Sequence, residues 1–224
     1  MNKKLTELLK NLENQLNREV QNRIEERHQK ALNWEPIDRL PLVISYPFPK
    51  NQEIKPFPHR EIFDNPEKML FNELVHAFDT SIFLHSEIND DLPYTIRANF
   101  GTVVVASLFG AKVEQRDDNP PWVRHFETLD EFKSIFDRDP LDLTQGLGAQ
   151  VIHRYKFFNH VLSDYPNLKK CIKIVLPDLQ GPLDTLELLR GSGIYEDFIM
   201  NPELVDKGLR LVAKAQVGLA KYLQ

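Results

Sequence analysis

The chain has 224 residues, 42% hydrophobic and 27% charged, with a formal net charge of −5. This is the profile of a soluble globular protein with one barrel-sized domain or two small ones, and it lacks the basic stripe that nucleic-acid binding requires. The single cysteine, Cys171, rules out an intrachain disulfide and points to a reducing compartment. The charged start has no apolar segment after it, and no run reaches the roughly 18–20 apolar residues of a membrane span, so a cytoplasmic location without membrane or nucleic-acid partners is expected.

In chain order, residues 3–32 read as one long helix, with Leu5, Leu8, Leu9, Leu12, Leu16, Val20 and Ile24 at three- and four-residue steps. Pro36 and Pro41 end it, and Leu40–Tyr46 reads as a buried strand. A proline-rich loop over 47–60 follows. Asn65-Pro66-Glu67 combines a cap, proline at the first helical position and an acid at the positive end of the dipole, so a helix is predicted over 66–77. Thr80–Ser86 reads as a second apolar strand ending in the polar turn 87–93. Residues 101–116 are double-natured: Val103–Val105 favours strand, whereas Gly110 marks a helix end. The reading adopted is a helix over 101–109 and a strand over 111–116. Thr128 and Glu131 form a capping box that opens a helix to about 137, and 146–164 has helical spacing. Lys170–Leu176 is the third core strand. A helix over 182–190 stops near Gly191 and Gly193, and a last helix starts at Asn201-Pro202-Glu203.

Alternating strands and helices imply an α/β fold with parallel strands joined by crossovers. A closed (β/α)8 barrel needs about 250 residues and eight strands, and only three core strands are readable here. The expected architecture is therefore an incomplete barrel, with an N-terminal helical segment over 1–34 and barrel sequence over 35–224.

Four segments resemble the uroporphyrinogen decarboxylase superfamily. They are Arg27 with Ala31-Leu32 and Glu35–Pro41; Asp91–Gly101 with Leu108-Phe-Gly110; Pro177–Asp184 with Leu189-Arg-Gly191; and Asn201–Val205. The resemblance spans roughly residues 27–215. It implies a (β/α)8 barrel with its site at the C-terminal ends of the strands. Some members decarboxylate porphyrinogens without a cofactor, whereas others are zinc-dependent methyltransferases that work with corrinoid proteins. The decarboxylases' arginine-bearing stretch after the first strand has no counterpart in Ser45–Lys50, so the methyltransferase-like side is favoured. The methyltransferases' His-x-Cys pair is absent too, and no cofactor is expected on this chain alone; zinc and a corrinoid belong to the complete enzyme. The expected partner is a small-molecule substrate, with a corrinoid protein or a complementary barrel half as the macromolecular partner. A porphyrinogen lyase, and a non-catalytic fragment or split-barrel subunit that needs a partner, stand as alternatives.

Glu87, Asp90 and Asp91 follow the second expected strand. They read either as a proton-sharing carboxylate group or as a solvated acidic turn, and the resemblance places a substrate-contacting carboxylate nearest Glu87. Asp178 is a catalytic candidate after the third strand. Gln180 and Gly181, with the helix start they precede, read either as a binding site for an anionic group or as plain capping. Arg97 and Asn99 are candidate substrate-binding residues, with a surface salt bridge the commoner use of an arginine. Trp122 is expected to pack. His85 and His153 read as structural or exposed, Gly191–Gly193 reads as a turn, and no residues have metal-ligand spacing.

Overall fold

The computed structural model describes residues 2–44, 54–115 and 117–224, and within 79–87 the backbone alone. In order these form helices α1 (Lys3–Gln15), α2 (Arg18–Leu32), α3 (His59–Ile62) and α4 (Pro66–Ile88), strand β1 (Thr95–Arg97), a 3₁₀ turn, and helix α5 (Val104–Leu108). Strands β2 (Lys112–Glu114) and β3 (Trp122–Arg124) come next, then α6 (Leu129–Lys133), a 3₁₀ turn, α7 (Gly148–Ser163), α8 (Pro166–Cys171) and β4 (Lys173–Val175). Helices α9 (Pro182–Arg190), α10 (Gly193–Met200) and α11 (Pro202–Leu223) complete the order. The fold is α/β and mostly helical. The chain divides into two compact units, residues 1–97 with 157–175 and residues 98–156 with 176–224.

In the first unit the predicted single helix over 3–32 is two. Leu16 is extended (φ −72°, ψ 128°), and Asn17 caps α2 by accepting the Glu19 N–H. The break has a use. Glu13, in the last turn of α1, accepts the backbone N–H groups of Asn167 and Leu168 at 2.9 and 2.8 Å, capping α8. Asn167 returns its side-chain amide to the carbonyls of Glu13 and Leu16, both at 3.0 Å. Each helix end thus satisfies the orphan backbone groups of the other. The N-terminal helices pack inside this unit, with α1 against α4 and α8, and α2 against α8. Leu5, Leu8, Leu9 and Leu12 are buried along one stripe of α1, and each such side chain contributes about 1.5–3 kcal/mol when fully buried.

Among the described residues, two expected strands are absent from this unit. Residues 80–86 continue α4, which starts as predicted with the Asn65 side chain accepting the N–H groups of Glu67 and Lys68 and with Pro66 in its first turn. A short apolar run does not by itself distinguish helix from strand. No glycine or proline interrupts 67–92, so the helix propagates until Asn89 turns left-handed (φ 51°) and stops it. Of the expected strand 40–46, residues 40–44 have no regular structure and 45–46 lie outside the described residues. Leu42 directs both its backbone groups to Asp91 instead: its N–H donates to Asp91 Oδ2 at 2.8 Å and its carbonyl accepts the Asp91 N–H at 2.6 Å. The third expected strand survives as β4, shortened because Lys170 and Cys171 end α8. β4 pairs in parallel with β1, a strand not anticipated from sequence, in the register Thr95–Lys173, Ile96–Ile174, Arg97–Val175. Ile96 is buried at its centre.

In the second unit α9 packs against α5, α6, α10, α11 and β3. The five residues of α5 are all buried, which explains how Val103–Val105 is helical despite its β-branched composition: burial outweighs propensity. Gly110 (φ 88°) closes α5 as predicted. The capping box at Thr128 and Glu131 forms as expected, with the Glu131 N–H on Thr128 Oγ1 at 3.1 Å and the Thr128 N–H on Glu131 Oε2 at 3.1 Å. Gly208 lets α11 approach α9, since a Cβ there would meet Leu186 at 3.1 Å. β2 and β3 form an antiparallel pair with Glu114 opposite Trp122.

Candidate functional site

The carboxylates expected to cap a second strand sit elsewhere. Because 80–86 is helical, Glu87 lies in the last turn of α4, with its side chain outside the described residues, and Asp90 and Asp91 precede β1 at its N-terminal end. Asp91 is 1% exposed. Its Oδ1 accepts a close bond from Arg27 and a 3.2 Å bond from Arg39; its Oδ2 accepts a close bond from Arg39 and the Leu42 N–H. These four bonds match the acceptor capacity of a carboxylate. Burial pushes the Asp91 carboxyl up, but the Leu42 N–H and the two guanidinium groups outweigh it and hold the group below its ordinary range. Arg27 also clamps Asp38 through Nε and Nη2, at 3.0 and 2.8 Å. That bond to Asp38, against the opposing effect of burial and with help from Asp91, raises the Arg27 pKa. His28 donates from Nε2 to the Asp91 carbonyl at 2.8 Å. The cluster anchors the 33–44 segment and the 89–91 turn to α2. Its charge is spent on structure.

Asp90 is also buried, close enough to Tyr94 to act on it. Burial first, then the neighbouring Cys171 and Asp90, raise the Tyr94 phenol. Burial likewise raises the Cys171 thiol, which Arg18 partly offsets. Tyr94 and Cys171 face an open cleft of about 170 Å³ lined also by Gln21, Ile24, His28 and Lys173. Thr95 and Lys173, at the N-terminal ends of the parallel strands, also line it.

The remaining candidates lie at or past the C-terminal ends of those strands in the chain. Arg97 is the last residue of β1, and its backbone N–H donates to Glu73 Oε2 at 2.9 Å. Asn99, in the second unit, accepts the Gly101 N–H at 3.3 Å. Asp178, Gln180 and Gly181 share one tight turn. Gln180 is left-handed (φ 57°), which is uncommon for a residue with a side chain. Its N–H and side-chain amide both donate to Asp178 Oδ1, at 3.3 and 2.7 Å. From α11, Gln216 Nε2 donates to the carbonyls of Leu179 and Gln180 at 3.0 and 3.2 Å, so the turn is held from both sides. The Gly181 N–H goes to Asp184 Oδ2 at 3.0 Å, which is the plain capping arrangement for α9. A Cβ at Gly181 would lie 2.6 Å from that oxygen.

The structure thus groups Asp178, Gln180 and Gly181, and separately surrounds Asp91 with residues the sequence reading did not single out for the site. Arg39 carried a signal beside Asp38 in the 35–41 segment. Gln216 carried one as a polar residue within the apolar stripe Val212, Ala215, Leu219. Among the described residues no group of three or more His, Cys, Asp or Glu is arranged to hold a metal ion. No helix among them is long and apolar enough to cross a membrane. Comparison with known proteins gave no match to a family model, to a curated protein or to a solved structure.

Proposed function

We propose that this chain contributes part of a (β/α)8-type barrel enzyme resembling the methyltransferase-like side of the uroporphyrinogen decarboxylase superfamily, and that the Asp178–Gly181 turn receives its small-molecule substrate. The observation that carries the reading is the left-handed Gln180, five residues after the parallel strand β4 ends, with its flanking carbonyls tied by Gln216. Such a residue costs on the order of 1–3 kcal/mol and persists only where its surroundings over-determine it, which is characteristic of sites. Open and closed parallel α/β sheets bind ligands past the carboxyl ends of their strands. In this reading Asp178, oriented by Gln180, binds and orients the acceptor, and a separate corrinoid protein carries the methyl group.

The test is an assay of the purified chain with methylcobalamin and small acceptor thiols, with and without added zinc. Transfer should fall at least about tenfold in D178N and Q180A while the circular dichroism spectrum is unchanged. Carbon dioxide release from uroporphyrinogen would move the assignment to the lyase alternative. Turnover of neither substrate class, with or without a corrinoid protein, would reject the enzymatic reading. One observation favours a second reading, a subunit that needs a complementary barrel half: among the described residues the parallel sheet has two strands of three residues each. Parallel sheets are normally larger and covered on both faces. Fast amide exchange at Ile96 and Ile174 in the isolated chain is expected on that reading, and strong protection there would reject it.

A further inference from the structure

Trp122 was expected to pack, yet it is 56% exposed. The hairpin explains how. Alternation along β3 puts Val123 (2% exposed) inward and Trp122 and Arg124 outward. The antiparallel register sets Glu114 beside Trp122 and Lys112 beside Arg124 on the same outer face. Leaving about half of a tryptophan in water forgoes part of the large apolar burial that this side chain usually contributes. The indole borders an open concavity of about 680 Å³ lined by Glu114, Asn119, Pro120, Trp122, Arg124 and His125.

The platform is tied to the core of its unit. His125 donates from Nδ1 to the Leu188 carbonyl at 2.7 Å, and the Phe126 N–H donates to the Leu189 carbonyl at 2.8 Å, so the end of β3 is fixed to α9. Gln115 Nε2 reaches the Asn119 carbonyl at 3.5 Å across the connecting loop, and Pro120 and Pro121 stiffen the approach to β3. Arg124 is oriented by a close ion pair with Glu127, and Glu114 adds to the negative field around it.

We propose that this face is a second ligand site and that it takes a saccharide. The indole offers a flat apolar surface for the C–H face of a pyranose ring. The Glu114 carboxylate, the Arg124 guanidinium and the Asn119 amide around it supply the acceptors and donors that neighbouring hydroxyls use. A carboxylate beside the ring and a chain charge of −5 disfavour a phosphorylated ligand. All the groups lie in the second unit, and the site is independent of the Asp178 turn, so either can fail without the other.

The test uses the full chain carrying Trp34→Phe, which leaves Trp122 as the only tryptophan. Its fluorescence is titrated with the methyl glycosides of glucose, galactose, mannose and N-acetylglucosamine, and with cellobiose and maltose, and calorimetry checks each response. At least one sugar should bind and shift the emission. Trp122→Ala in the otherwise native chain should weaken that sugar about tenfold or more with an unchanged melting temperature, and E114Q should weaken it less. Two results overturn the proposal: no sugar in the panel binds, whether or not adenosine does, or sugar binding is undiminished in Trp122→Ala.

Discussion

Two aspartates, one in each unit, show how differently a carboxylate can be used. Asp91 is buried with its acceptor sites filled by two arginines and a backbone N–H, and it joins segments far apart in sequence. Asp178 accepts from the backbone and side chain of Gln180, two residues away, in a left-handed turn that Gln216 braces from behind. The first arrangement is built for stability and the second for shape. A charged residue after an apolar run therefore says little about chemistry until its partners are known.

The largest expected effect tests the first half of that contrast. D91N should destabilise the chain by about 3 kcal/mol in urea unfolding, because Arg27 and Arg39 would face each other without their shared anion. R39A should cost less, about 1 kcal/mol, since that side chain is 36% exposed and partly solvated already. The same contrast has a pH signature. The Asp91 carboxyl is lowered in the folded chain, so its contribution is fully present above the ordinary carboxylate value of about 3.9 and is lost as pH falls below it. Thermal melts between about pH 5 and pH 2 should show this loss in the native chain and a shallower one in D91N. Next in size, Q216A strips two carbonyls of their donor and should cost about 1–2 kcal/mol. It should also weaken substrate at the Asp178 turn, which D91N should not do once folding is corrected for. Q180G should go the other way, raising stability by about 0.5–1 kcal/mol through relief of the positive φ while lowering activity. A loss of stability in Q180G would mean that the turn is not strained. The smallest effect is expected at the hairpin, where Trp122→Ala should change stability by no more than about 0.5 kcal/mol.

The parts of the fold set by local chemistry were legible in the sequence. Asn65-Pro66, the Thr128 box, Gly110 and Gly191 each mark a helix end through a cap or a positive φ, and the structure has each where its residue predicts. The runs 40–44 and 80–86 differ from the strands expected there because an apolar stretch has no period of its own. Their outcomes depend on distant facts, namely Asp91 claiming the Leu42 backbone and the lack of any breaker before Asn89. β1 was missed for a related reason: a three-residue strand takes its identity from its partner, and that partner lies 78 positions further on, where Thr95 meets Lys173. Of the candidate site, the Asp178–Gly181 turn was legible from its loop composition. The bracing by Gln216 was not, since it needs α11 folded back on the turn.

The exchange between Glu13 and Asn167 carries a consequence for how the protein is made. The groups that finish α1 are separated by 154 positions, so the first unit cannot close while the chain is being synthesised through its middle. At roughly 5–20 residues per second, the first helices wait on the order of ten to thirty seconds for the segment that completes them. During that wait the leucine stripe of α1 has α4 to pack against but not α8, so the stripe is only partly covered until the last segment of the unit arrives.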